Sequence, residues 1–590
     1  MVFKRIFIAV LACSLALPAH TGTTTVTNYT PVSKDDLSLV AFDKHPLAVS
    51  YLKKTQVSPS LAFSNVSEIL GEQLNQWIST QPLKEDLCHT AAFGIVCGDV
   101  CTSNDALPLD TWKHLGLFDQ NNTSLKLART KTYLGQAALA QLLINPCTSA
   151  AEITQRREAL RSLVDNTQLR RTLSEALKNI HNQESIMFRW WYHARQTRPT
   201  VGNTNPTAAG MTTRFWHIAS IIPPTLGFLG AQHFINQPWW INGQRNHQAE
   251  LGFQLSTYLC ILGFIFGPLN AGLHLHTLKT IQSTLISYAR VLDEARTIAR
   301  VIERTPQLKE IPGAVSILQH CNEQSGNLGE LNKLLQNNTF ATSASYFSSV
   351  GNIQAARNLL YATLPDMYKL LRAIAHVDAF VSMATLVRDQ EYSANKYCFV
   401  DFVEGETPTL ELINAWSPAN TLQNSPVQSI SLTGNKHNLL LTGPYRSGKS
   451  SSLRNFCHAI LLAQAFGIAP AEKCRMTPFG YIHFVPQELK KDDLMNPNQQ
   501  LSQQQHVLFE RLDTLPANTH ALVILDTTQE LWPDQALTHH AGFLNRYPQA
   551  LTMIATHNDQ LALENFSRYA MRPAQEGDGL PPWVFTLKSK

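Results

Sequence analysis

The sequence predicts an α/β domain in the second half of the chain, preceded by an all-helical domain into which an apolar helical hairpin is inserted. Three patterns lead to this fold class. Apolar residues recur at three- and four-residue spacing from Leu109 to about Arg198. Two long runs without charged residues interrupt the helical region. From Cys398 onward, short apolar segments alternate with helical patterns, which is typical of a largely parallel sheet covered by helices.

The composition bounds the class of protein. A chain of 590 residues is long enough for several domains, each with its own hydrophobic core. Only 16% of the residues are charged while 44% are hydrophobic, which excludes wholesale disorder and favours contact with a membrane. The 48 Lys and Arg residues nearly balance the 44 Asp and Glu residues. Bulk charge therefore gives no support for nucleic-acid binding.

Residues 1–20 have the layout of a secretory signal, and the alternative is a short hydrophobic anchor. Basic Lys4 and Arg5 precede an apolar stretch that ends at Leu17, and small residues follow. Residues 21–107 are polar and irregular, so they form an N-terminal region of unknown fold.

The apolar hairpin is predicted over residues 214–275. Its two runs, Phe215–Phe234 and Leu251–Leu275, contain no Asp, Glu, Lys or Arg, and each reaches the roughly 20 residues that a helix needs to cross a bilayer. Trp239 and Trp240 lie in the polar turn between the runs, where aromatic rings favour a membrane interface. We predict a transmembrane hairpin with the lipid bilayer as partner. The alternative is a hairpin buried in a soluble core.

Charge around the hairpin predicts its orientation. Basic residues flank it on both sides, with Arg245 alone in the turn: Arg189, Arg195, Arg198, Arg214, Lys279 and Arg290. Both flanks are then expected in the cytosol, on the inner face of a bacterial inner membrane. An export signal at residues 1–20 conflicts with this topology, and the sequence leaves the conflict open.

The helical domain is predicted over residues 108–213 and 276–395, on both sides of the hairpin. Its apolar spacing is mostly helical, as at Leu134, Ala138 and Leu142. After the hairpin, long helices are expected over Leu278–Ile302, Ile317–Leu335 and Ile353–Arg388.

The α/β domain is predicted over residues 396–590. Its strands are short, apolar and separated by helical patterns, as parallel strands require. The expected strands are Asn438–Thr442, Tyr481–Val485, Ala521–Leu525, Leu551–Ala555 and Trp583–Leu587.

The most specific motif follows the first of these strands and opens a helix. Its eight residues fit the pattern G-x-x-x-x-G-K-S of a phosphate-binding loop. In such a loop, backbone N–H groups wrap the phosphates, the Lys reaches the β- and γ-oxygens, and the Ser ligates Mg²⁺. The predicted cofactors are therefore ATP and Mg²⁺. The predicted binding residues are Gly443, Pro444, Tyr445, Arg446, Ser447, Gly448, Lys449, Ser450 and Ser451.

Two later strands end in residues that suit the same site. Asp526 ends an apolar strand and is predicted to hold Mg²⁺ together with Ser450, whereas the alternative is a simple turn residue. His557 follows a third strand and is a candidate sensor of the γ-phosphate, whereas the alternative is a solvated histidine at a strand end.

The order of these motifs resembles the MutS superfamily of DNA mismatch-repair ATPases over roughly Leu109–Lys590, excluding the hairpin. Leu439–Ala471 resembles the family's phosphate loop, the helix that follows and a Gly-x-x-Pro-Ala turn. Arg129–Gly135 resembles the start of its helical core, and Asp492 lies where the family has an acidic step. The resemblance implies an ABC- and MutS-like P-loop ATPase domain, lever helices that carry the hairpin, and a homodimer through the ATPase domain.

The sequence departs from the family pattern at positions that matter for hydrolysis and for partners. Thr527 replaces the glutamate that polarises the attacking water, so the Walker B site is degenerate. Tyr445 replaces the family's loop asparagine, and Ser502 begins a reduced form of its signature segment. DNA contact is not favoured, since arginines on a helix usually form a solvated face. The candidates for it are Arg156, Arg157, Arg161, Arg170 and Arg171.

These observations favour a membrane-anchored, MutS-like protein that uses Mg-ATP mainly as a conformational switch, with weak or no hydrolysis. The first alternative is an active ATPase that binds DNA in mismatch repair or recombination, with Glu530 or a partner supplying the carboxylate that Thr527 lacks. The second is a pseudo-ATPase scaffold that binds no nucleotide. The sequence identifies no protein partner.

Overall fold

The computed structural model divides the chain into two compact units. One comprises Met1–Ala41, Arg198–Ile281 and Ser345–Ala362, and the other comprises Phe42–Thr197, Gln282–Ala344 and Thr363–Lys590. The domain boundaries inferred from the sequence stay a prediction. The structure describes residues 127–197, 247–341, 349–391, 395–418, 427–485, 508–516, 519–526, 544–558, 565–573 and 583–587, with shorter stretches between and around them.

Helices dominate the chain before Asp389. The helices of the described ranges are α1 (Tyr133–Ile144), α2 (Ala150–Asp165), α3 (Thr167–Thr197), α4 (His247–Arg304), α5 (Ala314–Asn322), α6 (Gly326–Leu335), α7 (Asn338–Ala341), α8 (Val350–Ala362), α9 (Leu364–Asp389) and, in the α/β part, α10 (Lys449–Phe466), with a 3₁₀ turn at Pro306–Glu310.

Two buried carboxylates fix the N-terminus of α1. Asp378 of α9 accepts hydrogen bonds from the backbone N–H of Thr132 at 2.8 Å and from its hydroxyl at 2.6 Å. Glu184 of α3 accepts from the backbone N–H of Tyr133 at 3.0 Å. A side chain at Gly135 would clash, since Asp378 Oδ2 lies 2.1 Å from the position of its Cβ. Three helices therefore meet at the N–H groups that a helix N-terminus leaves unpaired.

The helix α9 forms the centre of its unit. By length and composition it is long and apolar enough to cross a membrane, yet 83% of its most apolar stretch is buried inside the protein. Burial lowers the pKa of its His376 to about 4 and raises the pKa of its Asp378 to about 6. Its apolar character is that of a core helix.

Two helices expected from the sequence are each divided in two. The expected helix Ile317–Leu335 is α5 and α6, and Gly326 at the break has a φ of +65°. The expected helix Ile353–Arg388 is α8 and α9. Pro365 lies in the first turn of α9, where a missing N–H is tolerated, and it cannot continue a helix from before.

The first run of the predicted hairpin lies outside the described residues. Phe215–Phe234 and the signal-like residues 1–20 are outside them altogether. Between the apolar runs, the short strand β1 (Trp240–Ile241) pairs antiparallel with β2 (Gln244–Arg245). The second run, Leu251–Leu275, lies within α4, so its helical conformation agrees with the prediction while its membrane location stays a prediction.

Smaller sheets come first in the α/β part. Their strands are β3 (Cys398–Phe399), β4 (Asp401–Phe402), β5 (Leu410–Ala415), β6 (Gln428–Leu432), β8 (Ile468–Ala469) and β9 (Lys473–Met476). A four-stranded sheet has the order β4-β9-β5-β6, and a two-stranded sheet joins β3 to β8. The first strands of both sheets follow α9, so this part of the chain connects the helices to a larger sheet.

A six-stranded sheet forms the core of the α/β part. Its strands are β7 (Asn438–Thr442), β10 (Phe479–Val485), β11 (His520–Asp526), β12 (Ala550–Thr556), β13 (Phe566–Pro573) and β14 (Trp583–Leu587). Their order in the sheet is β10-β11-β12-β7-β13-β14. The first five run parallel, and β14 pairs antiparallel with β13. This confirms an α/β domain that follows helices.

Candidate functional site

The phosphate-loop motif lies between β7 and α10, as its spacing predicts. All five residues of β7 are buried, because the strand lies between β12 and β13 within the sheet. Positive φ angles turn the chain at Gly443 (153°), Arg446 (61°) and Gly448 (92°). Two of these three positions are glycines, which adopt such angles without steric cost. The loop thus bends back so that α10 begins directly at Lys449.

The loop backbone is closely surrounded at Gly443, where no side chain would fit without displacing its neighbours. A Cβ on Gly443 would lie 3.0 Å from Met571 Cβ and 3.1 Å from Ser447 Oγ. Ser447 is only 2% exposed, and its hydroxyl has no hydrogen-bond partner among the residues the structure describes. A buried donor without a partner carries a cost that a bound anion relieves. Together with the N-terminus of the 18-residue α10, this loop fits a phosphate group.

Lys449 points back over the loop. Its Nζ donates to the carbonyl oxygens of Gly443 at 2.9 Å and Pro444 at 2.8 Å, and it lies 3.3 Å from Nδ1 of His557. The residue is only 6% exposed. A buried cation beside these neutral acceptors is a strong anchor for a phosphate oxygen, since a charged partner is worth more than a carbonyl.

Ser450 and Asp526 form the other half of the site. The Ser450 hydroxyl donates to Asp526 Oδ1 at 3.0 Å. The two residues meet because β7 and β11 run parallel, separated only by β12, and end at the same edge of the sheet. Burial raises the pKa of Asp526, and the hydrogen bond from Ser450 opposes that shift. A hydroxyl beside a carboxylate suits Mg²⁺, which takes few protein ligands and fills its shell with phosphate oxygens and water.

His557 follows β12, the strand between the loop strand and the strand of Asp526. Burial lowers its pKa, and the nearby Lys449 ammonium lowers it further. The ring is therefore neutral near pH 7, and its Nδ1 can accept from Lys449. The Tyr445 ring lies 5.8 Å from the His557 ring and is 66% exposed. The Arg446 guanidinium lies over the Tyr445 ring, 5.5 Å from its centre.

The other predicted site residues are only partly described. Ser451 is exposed in the first turn of α10, and Pro444 is exposed in the loop. Thr527 lies outside the described residues, as do Asp492, Ser502 and Glu530. The roles assigned to all these residues stay predictions. Among the described residues, no group of three or more His, Cys, Asp or Glu side chains could hold a metal ion by itself.

The arginines considered for DNA contact each have a partner within the chain. Arg157 donates to the carbonyl of Val400 at 2.7 Å, and Arg170 donates to the carbonyl of Leu163 at 2.6 Å. Arg156, Arg161 and Arg171 form ion pairs with Glu152, Glu158 and Glu175 respectively.

Sequence reasoning missed the residues that shape the loop from other elements. Met571 of β13 packs against Gly443, and its Cε lies 3.7 Å from the position of a Cβ on Gly448. Gln428 of β6 donates to Ser452 Oγ at 2.6 Å, just inside α10. Neither residue has a type or spacing that signals this role, because the contacts depend on the sheet order.

Comparison with known proteins gives partial, low-identity similarity. The DNA mismatch repair protein MutS of Bacillus subtilis (strain 168) is 26% identical over 124 residues, which are 20% of this chain and 13% of that protein. The protein of the same name from Clostridioides difficile (strain 630) is 29% identical over 122 residues, which are 20% of this chain and 12% of that protein. MutS of Lactobacillus delbrueckii subsp. bulgaricus is 21% identical over 388 residues, 60% of this chain and 42% of its own length. These matches support a MutS-like relationship.

The similarity to MutS covers only part of each relative. The MutS-like chain spans less than half the length of each of these relatives. No protein-family model matches it. The similarity to MutS suggests a nucleotide-binding protein. The fit of the loop residues to phosphate and Mg²⁺ is an independent observation that points the same way.

Proposed function

We propose that this chain is a membrane-anchored, MutS-like nucleotide-binding protein that uses Mg-ATP as a conformational switch, with weak or no hydrolysis. One observation carries the nucleotide part of the proposal. Four polar groups surround the N-terminus of α10: the Lys449 ammonium, the Ser447 hydroxyl, the Ser450 hydroxyl and the Asp526 carboxylate. The Ser447 hydroxyl has no hydrogen-bond partner among the described residues. This set of groups matches a triphosphate with its metal ion.

The geometry indicates which residues would hold the cofactors. The loop from Gly443 to Gly448 and the ammonium of Lys449 would hold the phosphates. Ser450 and Asp526 would hold Mg²⁺, which supplies positive charge beside the phosphate oxygens. His557 would keep Lys449 in place by accepting its hydrogen bond at 3.3 Å.

The switch part of the proposal rests on the residue after Asp526. Thr527 has no carboxylate to polarise a water molecule, and the loss of a general base typically slows a reaction by roughly 10²–10⁴-fold. Binding energy alone suffices for a switch, because a ligand shifts an equilibrium by its differential affinity for two conformations.

Steady-state ATP hydrolysis by the wild type and by Thr527→Glu tests the switch. The wild type is expected to bind Mg-ATP and hydrolyse it far more slowly than Thr527→Glu does. Thr433→Glu, which adds the same charge in the exposed turn before β7, serves as the control and should behave like the wild type. Brisk hydrolysis by the wild type, with no gain in Thr527→Glu, would refute a degenerate site.

The membrane part of the proposal rests on two uncharged runs of spanning length, the second of which lies within α4. A helix in hydrocarbon satisfies its own backbone hydrogen bonds, and Trp239 and Trp240 suit the interface between the runs. We place the hairpin in a bacterial inner membrane with the ATP-binding part in the cytosol, where ATP is present.

Membrane fractionation tests this placement. The protein should stay in the membrane fraction after washes with high salt and with alkali, because spanning segments do not depend on electrostatic attachment. Leu262→Arg or Phe264→Arg should impair insertion by roughly 2.5–3.5 kcal/mol. Gln248→Arg, in the polar stretch before the second run, is the control and should insert normally. Release of the wild type by alkali would refute spanning.

The relatives' names give a second candidate function, since they are DNA mismatch repair proteins. An active ATPase that binds DNA would show duplex binding that weakens steeply with salt. The switch proposal predicts no such binding, because three of the five candidate arginines, Arg156, Arg157 and Arg170, are largely shielded from solvent and bonded within the chain. A homodimer through the ATP-binding part stays a prediction in either case.

A further inference from the structure

The far end of α10 contacts the helical region through a buried amide. We infer that Gln464, in the last turn of α10, is a positioning residue that carries movement of the phosphate loop to the turn between α1 and α2. This inference rests on the proposed function, because it names the route by which bound Mg-ATP would change the helical region.

Gln464 joins three parts of one unit. Its Nε2 donates to the carbonyl of Cys147, in the α1–α2 turn, at 2.8 Å. The same Nε2 donates to the carbonyl of Phe479 at 2.8 Å, and the Gln464 Oε1 accepts from the Phe479 N–H at 3.1 Å. Gln464 is 0% exposed. Both N–H groups of the amide are therefore used, one toward the helices and one toward the start of β10.

The amide is rigidly connected to the loop. Helix α10 runs without a break from Lys449 to Phe466 and contains no Gly or Pro between its ends. At a rise of about 1.5 Å per residue, Gln464 lies roughly 22 Å along the helix from Lys449. Nearly every residue of α10 is buried, so the helix cannot bend toward solvent. A shift at its N-terminus is thus transmitted to its C-terminus.

Other contacts hold the same end of α10 but differ in kind. Phe466 packs edge-on against Phe380 of α9, with ring centres 5.2 Å apart. Gly467 caps the helix and lies against Arg157 of α2. These contacts are apolar or steric and tolerate sliding, whereas a hydrogen bond is lost when its atoms move apart by about an ångström. Gln464 therefore makes a directional contact at this end.

A second buried polar contact lies in the middle of α10. Burial lowers the pKa of His458 to about 4, so its ring is neutral near pH 7. Its Nε2 donates to the carbonyl of Leu115 at 2.8 Å. Leu115 precedes α1 in the chain, so this contact does not reach the α1–α2 turn. Gln464, in contrast, hydrogen-bonds to that turn directly.

Hydrogen exchange of the full chain, with and without Mg-ATP, tests the inference. In the wild type, Mg-ATP should change exchange of the amides from Asn145 to Glu152 by a factor within the usual range of coupling, about 5–150-fold. Gln464→Met should bind Mg-ATP with affinity within about threefold of the wild type and lose that change to below about twofold. Leu461→Met, equally buried in α10 but without these hydrogen bonds, is the control and should respond like the wild type.

A second variant covers the case in which Gln464→Met does not fold. Gln464→Leu removes both donors and introduces no charge into the buried site. It should bind Mg-ATP like the wild type and lose the response in the α1–α2 turn. A nucleotide-dependent response distinguishes a positioning role from a merely structural one, which would alter exchange equally with and without Mg-ATP.

The results separate the role of Gln464 from the proposed binding of Mg-ATP. An unchanged response in either Gln464 variant would overturn the inference and leave ATP binding intact. A wild type that binds Mg-ATP without any change at the α1–α2 turn would also overturn it. A wild type that binds no Mg-ATP would instead refute the proposed function, and the inference with it.

Discussion

Burial shifts the pKa values of two residues beside the phosphate loop, Asp526 and His557. Burial raises the pKa of Asp526, which disfavours its anionic form, while the hydrogen bond from Ser450 favours the anion. Burial lowers the pKa of His557, and the nearby Lys449 charge acts in the same direction. A metal ion beside Asp526 would favour the anion further, so Mg²⁺ and the ionised carboxylate support each other.

The first prediction concerns Asp526. The wild type is expected to bind ATP more tightly with Mg²⁺ than with a chelator present, and Asp526→Asn should reduce that difference by at least about tenfold, since the amide removes a ligand's charge. Equilibrium binding measured at several Mg²⁺ concentrations provides the test. Asp513→Asn is the control, because Asp513 accepts from the Tyr547 hydroxyl instead. Equal Mg²⁺ dependence in Asp526→Asn and the wild type would exclude Asp526 as a ligand.

The second prediction concerns His376, which lies between the carbonyl of Pro312 and the side-chain amide of Gln141, each at 3.0 Å. Burial holds its pKa near 4 in the folded state, against an ordinary value of 6.5. Between these values the unfolded chain binds a proton that the folded chain does not. Its contribution to stability is therefore complete above about pH 6.5 and is lost as the pH falls toward about 4, by roughly 3 kcal/mol.

Urea unfolding at pH 7 and pH 4.5 checks the size of this effect. His376→Gln should show less acid sensitivity than the wild type over this interval. His437→Gln, in the turn before β7, is the control and should keep the sensitivity of the wild type. The same acid sensitivity in His376→Gln and the wild type would contradict a neutral buried His376.

At the level of elements, the end of α10 is a site of close approach. Gly467 has a φ of +74°, and a Cβ there would lie 2.5 Å from Arg157 Cβ and 3.0 Å from Arg157 Cα. The Arg157 guanidinium meanwhile donates to the carbonyl of Val400 at 2.7 Å, beside β4. One glycine thus lets α2, α10 and the strands after α9 meet.

The third prediction separates two reasons why position 467 requires glycine, which are its positive φ and the close approach of Arg157. Gly434→Ala, at a φ of +58° with nothing within 4 Å, should cost only the backbone strain of about 1–2 kcal/mol. Gly467→Ala should cost that strain and at least about 1 kcal/mol more, because backbone atoms of α2 must move. The free energy of unfolding of each variant gives the comparison. Equal losses of stability in the two variants would mean that α2 moves away from the new Cβ at no energetic cost.

Element positions were predictable where local pattern decides them. The strand Asn438–Thr442 is buried on both faces, so its uninterrupted apolar run indicates its bounds. The breaks near Gly326 and Pro365 were missed because the helical spacing of apolar residues continues on both sides of each break. A single Gly or Pro in such a pattern does not by itself fix where a helix ends.

The site was predictable to the extent that it is local in sequence. The loop from Gly443 to Ser450 is continuous, and Asp526 is recognisable from its place at a strand end. The packing of Met571 against the loop and the hydrogen bond from Gln464 to Cys147 depend on which elements are neighbours in space. Residue type and spacing carry no signal for such contacts.

At the scale of the whole molecule, the fourth prediction concerns the hairpin. Deletion of residues 215–275, with a short Gly/Ser linker, should release a soluble protein that still binds Mg-ATP, because the phosphate loop and its helix lie in the other part of the chain. Sedimentation of cell extracts followed by ATP binding measures both properties. Replacement of residues 419–426 by the same linker is the control and should leave the protein membrane-bound. Persistent membrane association of the hairpin deletion would locate the anchor elsewhere.

Binding of Mg-ATP to the full chain tests the central claim most directly. The Lys449 ammonium is a buried point charge 2.9 Å from the Gly443 carbonyl, and we assign it to the phosphate oxygens. Lys449→Ala should weaken binding by at least about thirtyfold, equivalent to roughly 2 kcal/mol, whereas Lys436→Ala, in the exposed turn before β7, should bind like the wild type. Equal affinity for Mg-ATP in Lys449→Ala and the wild type would contradict this assignment and the nucleotide switch that depends on it.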